Sequence, residues 1–180
     1  MREQKRSSKR QTHMTSQLPE ISHREQQLRT TPLELRVLVA NVRSIQTEKK
    51  MLGLKSKVLD NQQLGANVLL LSETHLKRQF QAEGWQSTQT RLDSKGGALV
   101  ATKLRWFKTI KTLGTGIAWA SVSQDFQPVH LISVYLAPQK PKQVKETMSR
   151  LLIAVDNVLT NLPNCKFLIA GDFNEHRSSM

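Results

Sequence analysis

Four apolar segments of the sequence end on polar side chains that can bind a metal ion or a phosphate group. These side chains are Asn41, Glu73, Tyr135 and the pair Asp172 and Asn174. In sheet proteins a ligand site usually lies beyond the strand ends, where loops begin and the packed core stops. We therefore expect these side chains to gather at one rim. Their oxygen-rich donor set suits Mg²⁺, with Mn²⁺ as a second possibility, and it does not suit zinc, because the histidines lack ligand spacing.

Each of these residues also has a purely structural explanation. Asn41 is a favoured turn residue, and an acid such as Glu73 is favourable in the first turn of a helix. Tyr135 suits the edge of a core, whereas Asp172 and Asn174 together suit an Asx turn. Taken singly, these explanations stay open. The occurrence of all five residues at the ends of apolar segments is what favours a shared site.

The elements that would position these side chains follow from apolar periodicity and from the glycine and proline residues. Helical spacing of apolar residues predicts a helix within 47–64, and a stronger one between Pro141 and Pro163. Buried strands are predicted at 35–41, 67–73, 98–101, 106–112, 117–123, 129–135 and 166–174. The pattern predicts an α/β or α+β fold with most strands in the middle of the chain.

The charge of the chain points to a polyanionic partner. Among 180 residues there are 27 Lys and Arg against 14 Asp and Glu, a net charge of +13. Residues 1–34 hold seven basic and four acidic groups, a net of +3, so residues 35–180 carry the other +10. A basic folded surface favours nucleic-acid contact, although a generally basic protein without such a partner is the alternative.

Several further features limit the class of protein. Residues 1–34 are polar and without period, which predicts a disordered basic tail, and its cluster at 5–10 is compatible with nuclear localisation. The longest apolar run, 151–155, is far shorter than a membrane span, and no apolar secretory leader is visible. Cys165 is the single cysteine, so it has no disulfide partner within the chain. We therefore expect an intracellular protein that is not secreted, with the nucleus as a possible location.

Four motifs resemble those of the endonuclease/exonuclease/phosphatase superfamily. Their residues are most similar to the motifs in the endonuclease domains of non-LTR (LINE-type) retrotransposons. They begin at Asn41 with Asn-Val-Arg-Ser, at Glu73 with Glu-Thr-His, at Tyr135 with Tyr-Leu-Ala-Pro and at Gly171 with Gly-Asp-Phe-Asn-Glu-His. Each motif alone is weak, but all four occur in the order of the family. The resemblance covers residues 35–176 and implies a deoxyribonuclease I-like four-layer α/β sandwich.

The resemblance also implies a role for each site residue in Mg²⁺-dependent cleavage of DNA phosphodiester bonds. Glu73 would be the principal Mg²⁺ ligand, with Asn41 beside it. Tyr135 would donate a hydrogen bond to the scissile phosphate. Asp172 would orient or activate the attacking water, and Asn174 would hold a phosphate oxygen as charge develops. A metal ion and neutral donors around the phosphorus suit this chemistry.

One departure from the family concerns the end of the sequence. Family members continue with further strands and a closing Ser-Asp-His-type motif, whereas this sequence ends at Met180 without one. We therefore expect an incomplete, C-terminally truncated sandwich whose cleavage activity is open. His176 and His75 are possible auxiliary residues, although a lone histidine is more often structural, and a base must reach its proton.

The function expected is that of a Mg²⁺-dependent DNA endonuclease domain of retrotransposon type. The alternatives are a non-catalytic nucleic-acid-binding remnant and a phosphatase of the same superfamily. The partners expected are DNA and the remainder of a retrotransposon polyprotein, including a reverse transcriptase, with no membrane. The residues predicted to contact the DNA backbone are Arg43, Lys77, Arg78, Arg91, Lys95 and Arg105.

Overall fold

The computed structural model describes residues 34–90, 96–114, 116–124, 127–138 and 141–174. These ranges form eight strands, two α-helices and one π-helical turn. The strands are β1 (Val37–Asn41), β2 (Val68–Ser72), β3 (Gln86–Gln89), β4 (Ala98–Thr102), β5 (Phe107–Leu113), β6 (Ile117–Gln124), β7 (Gln127–Tyr135) and β8 (Lys166–Asp172). The helices are α1 (Glu48–Leu54) and α2 (Pro141–Asn161), and the π-helical turn is Lys55–Leu59.

The strands form two four-stranded sheets. The first sheet has the order β1-β2-β4-β3 and the second has the order β5-β6-β7-β8. The pairs β1–β2 and β7–β8 are parallel, and the other pairs are antiparallel. Asn41 pairs with Ser72 at the end of the first parallel pair, and Tyr135 pairs with Asp172 at the end of the second. Each parallel pair thus delivers two strand ends to the same edge of its sheet.

Alternation along β2 shows how the first sheet is covered on both faces. Leu69 and Leu71 belong to an apolar cluster with residues of α1 and the π-helical turn, such as Leu54. Val68 and Leu70 point the other way, into a cluster shared with β6 and β7. Because all four apolar side chains of β2 are fully buried, its sequence is a continuous apolar run rather than an alternating one.

The far face of the second sheet is covered by α2. Trp119 of β6 and Ile132 of β7 pack there against Leu151 and Ala154 of the helix, all of them buried. The order of layers is therefore helix, sheet, sheet, helix. The predicted α/β class and four-layer sandwich are confirmed. No helix among the described residues is both long and apolar enough to span a bilayer.

A buried hydrogen bond ties the two sheets together close to their shared edge. The Ser133 hydroxyl of β7 donates to the Leu71 carbonyl of β2 over 2.8 Å. Ser133 has no exposed surface, so this bond replaces the water contacts that both groups lose. The sheets consequently have a fixed register where β2 and β7 approach their ends.

Two elements differ from the sequence prediction. The helix predicted within 47–64 ends as an α-helix at Leu54 and continues as the π-helical turn, in which the Asp60 amide donates to the Lys55 carbonyl over 2.9 Å. Its wider spacing directs both Leu54 and Leu59 into the core. Strand β3 was not predicted, because its Gln-Ser-Thr-Gln sequence has no apolar alternation; it forms as an edge strand paired with β4. Of the predicted tail 1–34, only Glu34 lies within the described residues.

Candidate functional site

A hydrogen bond between the two sheets closes one corner of the site. The Asn41 amide nitrogen, at the end of β1, donates to Asp172 Oδ2, at the end of β8, over 2.6 Å. The other carboxylate oxygen of Asp172 accepts the backbone N–H of Asn174 over 3.0 Å. Both oxygens of Asp172 are engaged, so its carboxylate has a fixed orientation.

Asn174 is held by both of its neighbouring strands. Its side-chain amide donates to the Leu136 carbonyl over 2.7 Å, just beyond β7. The Leu136 amide in turn donates to the Asp172 carbonyl over 2.9 Å. An amide nitrogen carries two hydrogens, so Asn174 keeps one donor for another acceptor.

Glu73 lies directly after β2, on a left-handed residue with φ of +56°. Its carbonyl accepts the Ser44 amide over 2.7 Å, and its side chain is only 28% exposed. His75 Nε2 lies 3.8 Å from Glu73 Oε1, which is beyond hydrogen-bond distance, and it is buried without a hydrogen-bond partner. The structure therefore places the predicted auxiliary His75 beside the Glu73 carboxylate.

The phenol of Tyr135 lies near both carboxylates. Burial raises the pKa of Tyr135 above its ordinary value, and the negative charges of Glu73 and then Asp172 raise it further. The phenol therefore stays protonated at neutral pH and can donate a hydrogen bond. The side chains of five residues together form the rim of the sheets: Asn41, Glu73, Tyr135, Asp172 and Asn174. The structure brings together all five residues that the sequence singled out.

Backbone strain is concentrated beside the rim. Among the described residues, the non-glycine residues with positive φ all lie within three positions of the end of β1, β2 or β8. They are Arg43, Ser44, Glu73, His75 and Asn174, with φ from +43° to +76°. Such conformations cost free energy and persist where surrounding contacts enforce them, most often at functional sites. One such contact is the Arg43 amide, which donates to Asn41 Oδ1 over 3.1 Å.

Two glycines make close contacts with Tyr135 that the sequence interpretation missed. Gly96 is buried, has φ of +99°, and packs so closely on the Tyr135 ring that a Cβ would overlap it. Its carbonyl accepts the His75 amide over 2.5 Å. Gly116 packs as closely on the Tyr135 carbonyl oxygen. The sequence offers one signal for such a contact, the pair Gly96-Gly97 directly before a buried strand, and that pair is equally compatible with an ordinary turn.

The predicted DNA-contact residues do not all reach the rim. Arg43 is exposed two residues beyond β1, and its carbonyl accepts the Lys50 ammonium over 3.0 Å. Lys77 and Arg78 are exposed just after His75.

Arg105 departs from the prediction of one continuous backbone track. It follows Thr102, which pairs with Val68 at the opposite end of the first sheet, because β4 runs antiparallel to β2. It is thus remote from the rim. Arg91, Lys95 and the second auxiliary histidine, His176, lie outside the described residues.

The donor set at the rim suits a hard cation. Within the described ranges there is no cluster of three or more His, Cys, Asp or Glu side chains. The rim instead offers the carboxylates of Glu73 and Asp172 together with the carboxamide of Asn41. Mg²⁺ is usually bound by one or two carboxylates, with waters and substrate phosphate oxygens completing its shell. These residues therefore fit Mg²⁺, and they lack the nitrogen and sulfur ligands of a zinc site.

Comparison with known proteins identifies the fold. No family model matches the chain, and no curated protein matches it significantly. Solved structures do match, and they share the deoxyribonuclease I-like fold of the endonuclease/exonuclease/phosphatase superfamily.

Three of these structures illustrate the match. The endonuclease domain of TRAS1, a telomere-specific non-LTR retrotransposon, has a TM-score of 0.52 and 19% identity over 79% of this chain and 60% of its own. TDP2 from Caenorhabditis elegans has a TM-score of 0.57 and 11% identity over 80% and 48%. The 3′ phosphatase NExo from Neisseria, bound to a product DNA hairpin, has a TM-score of 0.52 and 16% identity over 79% and 59%. The chain thus spans about half to three-fifths of the structures it matches.

Proposed function

We propose that this chain is a Mg²⁺-dependent DNA endonuclease domain of retrotransposon type. The observation that carries the proposal is the rim, where four strand ends from two sheets bring two carboxylates, two carboxamides and a protonated phenol together. The residues of the four motifs and the structural similarity to a retrotransposon endonuclease domain support DNA as the substrate class. The likeness to a phosphatase bound to a DNA hairpin supports DNA as the partner.

In this proposal Asp172 orients the attacking water. Its carboxylate is fixed by Asn41 on one oxygen and by the Asn174 amide on the other. A carboxylate held in this way can accept a hydrogen bond from water in one direction, which is what in-line attack on a phosphodiester requires. Asn41 contributes here by positioning Asp172.

Tyr135 and Asn174 supply neutral donors for the phosphate oxygens. The Tyr135 phenol keeps its proton at neutral pH because of its burial and the two nearby carboxylates. Asn174 offers the amide hydrogen that does not bond Leu136. Donors aimed at oxygens on which charge develops lower the barrier in proportion to how well they are preorganised.

Glu73 and Asn41 would hold Mg²⁺ at the rim. The metal ion, when bound, neutralises negative charge that builds on the phosphate oxygens during cleavage. Arg43 and Lys50 stand beside the same edge and would attract the DNA backbone.

We also propose that the protein works beside a reverse transcriptase of the same polyprotein, inside the cell and in the nucleus, where its DNA substrate lies.

The test is a plasmid-nicking assay with matched variants. Wild-type protein is expected to convert supercoiled plasmid to the open circular form with Mg²⁺ and not with EDTA. Glu73→Gln should lower the rate at least about 100-fold, because a metal ligand is worth several kcal/mol of transition-state stabilisation. Glu83→Gln is the control, since Glu83 is an exposed carboxylate on another segment.

The other outcomes separate the alternatives. Equal nicking by wild type and Glu73→Gln would refute the metal role. DNA binding with a steep salt dependence and no nicking would favour a non-catalytic remnant. Phosphate release from a 3′-phosphorylated oligonucleotide or an inositol phosphate, without nicking, would favour a phosphatase.

A further inference from the structure

An exposed basic and aromatic segment lies at the end of the sheets opposite the rim, and the proposed cleavage steps do not use it. The segment leads from β4 into β5 and exposes Lys103, Arg105, Trp106 and Lys108. Trp106 is 55% exposed although it is a large aromatic side chain. The sequence from 94 to 124 has no Asp or Glu, so no acidic neighbour along the chain offsets the three cations. These four residues form the basic far end of the sheets.

The basic far end is well separated from the rim. Phe107 pairs with Val122, and Val122 pairs with Val129, so these residues form a row across the second sheet. Along β7, Tyr135 lies six residues beyond Val129, a distance of about 20 Å at about 3.3 Å per strand residue. The row continues to Lys166, a further exposed cation. A ligand bound at the far end is therefore held by contacts other than those that would hold the scissile phosphate.

The cations of the far end differ in how far they are already engaged. The Lys103 ammonium donates to the Leu59 carbonyl over 3.3 Å and lies 5.0 Å from the centroid of the Trp85 ring. Arg105 and Lys108, by contrast, form no salt bridge with any other residue that the structure describes. Their charges are therefore available to an anionic ligand.

Trp106 is held at the surface by the residues on either side of it. The Phe107 amide donates to the Arg105 carbonyl, which makes a three-residue γ-turn centred on Trp106. Leu104 and Phe107 both pack against the apolar core between the sheets. The backbone is thus anchored on both sides of Trp106, and the exposed indole offers a surface on which a base can stack.

We propose that the basic far end binds single-stranded nucleic acid, with phosphates at Arg105 and Lys108 and one base stacked on Trp106. A single strand supplies both complementary parts, because its phosphates attract cations and its bases have open faces. In a duplex those faces are covered by neighbouring bases. DNA and RNA share these groups, so the test compares both. The proposal goes beyond the proposed function, since cleavage at the rim does not require a second site.

The experiment measures binding by fluorescence anisotropy in EDTA, where no metal-dependent cleavage occurs. The fluorescein-labelled probes are a 12-nucleotide oligothymidylate, a 12-nucleotide oligouridylate and a DNA duplex of 12 base pairs. Trp106→Ala should weaken binding of a single strand about 5- to 100-fold, the range that one stacked base contributes, and should change duplex binding less than about twofold. Trp106→Phe keeps an aromatic ring and should retain most of the affinity. Leu152→Ala is the control, because Leu152 is an exposed apolar residue of α2.

The salt dependence tests the phosphate contact separately. Arg105→Gln should weaken single-strand binding and should reduce the slope of log affinity against log salt concentration by about 0.7, the value for one phosphate contact on a single strand. Arg150→Gln removes the same charge from an exposed position on α2 and should leave the slope unchanged.

A loss in Trp106→Ala that is confined to single strands supports the proposal, and the more tightly bound of the two strands identifies the sugar. Equal affinity of Trp106→Ala and wild type for both strands would overturn it, and would point to a polyanion without bases if Arg105→Gln still weakened binding. A loss as large for the duplex, or as large in Leu152→Ala, would also overturn it. Circular dichroism melting checks that each variant is folded. Because binding is measured in EDTA, a failure of the proposed cleavage would not change how these outcomes are interpreted.

Discussion

Gly96→Ala is expected to destabilise the protein through overlap with the Tyr135 ring and through backbone strain at Gly96. The new Cβ would overlap two atoms of that ring, and the residue would keep a φ near +99°, which side chains rarely adopt. A strained backbone conformation costs about 1–3 kcal/mol, and overpacking of a filled site costs about 1–3 kcal/mol. The free energy of unfolding should therefore fall by about 2–6 kcal/mol, and the melting temperature by roughly 5–20 °C.

Gly84→Ala is the matched control for the backbone part of this cost. Gly84 also has a positive φ, +72°, but no atom lies within 4 Å of the position where its Cβ would be. Its substitution should cost only about 1–2 kcal/mol. The measurement is urea unfolding of both variants, followed by fluorescence or circular dichroism.

A double-mutant cycle isolates the ring contact. In a Tyr135→Ala background, Gly96→Ala should cost about 1–3 kcal/mol less than in the wild type, because the ring it would strike has been removed. The reasoning is refuted if Gly96→Ala costs no more than Gly84→Ala, or if removal of the ring does not reduce its cost. If Gly96→Ala unfolds too far to measure, all four proteins of the cycle can be compared in a stabilising osmolyte.

Two further predictions concern titratable groups. Because the chain has a single tyrosine, tyrosinate absorbance reports Tyr135 alone, and its pKa should exceed 10.0. The pKa should fall in Glu73→Gln, because that variant removes one negative charge near the phenol. An unchanged titration would contradict the placement of Glu73 near Tyr135. Burial lowers the pKa of His130 in the folded state, so the unfolded state binds its proton more readily. The free energy of unfolding should consequently decrease as the pH falls below about 6.5, and His130→Phe should flatten that part of the pH profile. A profile as steep in the variant as in the wild type would count against it.

Much of the fold could be predicted because the core strands are continuous apolar runs. Val68–Ser72 and Ala98–Thr102 are buried along their whole length, and the sequence shows this directly. Strand β3 could not be predicted in this way, because it is a polar edge strand whose partner is supplied by the fold. An apolar pattern also says little about strand direction, which is why the position of Arg105 at the far end of the first sheet was not foreseen.

The site residues were predictable by type and place, but their arrangement was not. Asn41 ends one predicted strand and Asp172 lies near the end of another, yet the 2.6 Å bond between them depends on how two sheets stack. The close contact of Gly96 with Tyr135 is likewise a tertiary feature, since the residues are far apart in sequence. A glycine pair beside a strand is compatible with an ordinary turn as well as with close packing of another side chain against the glycine backbone.

The hydrogen bond between Asn41 and Asp172 joins the two sheets, so the geometry of the rim depends on how the sheets are aligned. The Ser133 hydroxyl and the Leu71 carbonyl hold the two sheets in register a short distance behind it. A small slip of one sheet against the other would part the first pair of residues while most of the apolar core stayed buried. The proposed nicking activity should therefore decline at temperatures or denaturant concentrations below those that unfold the chain. Substitutions in the apolar core between the sheets should likewise lower that proposed activity before they impair folding.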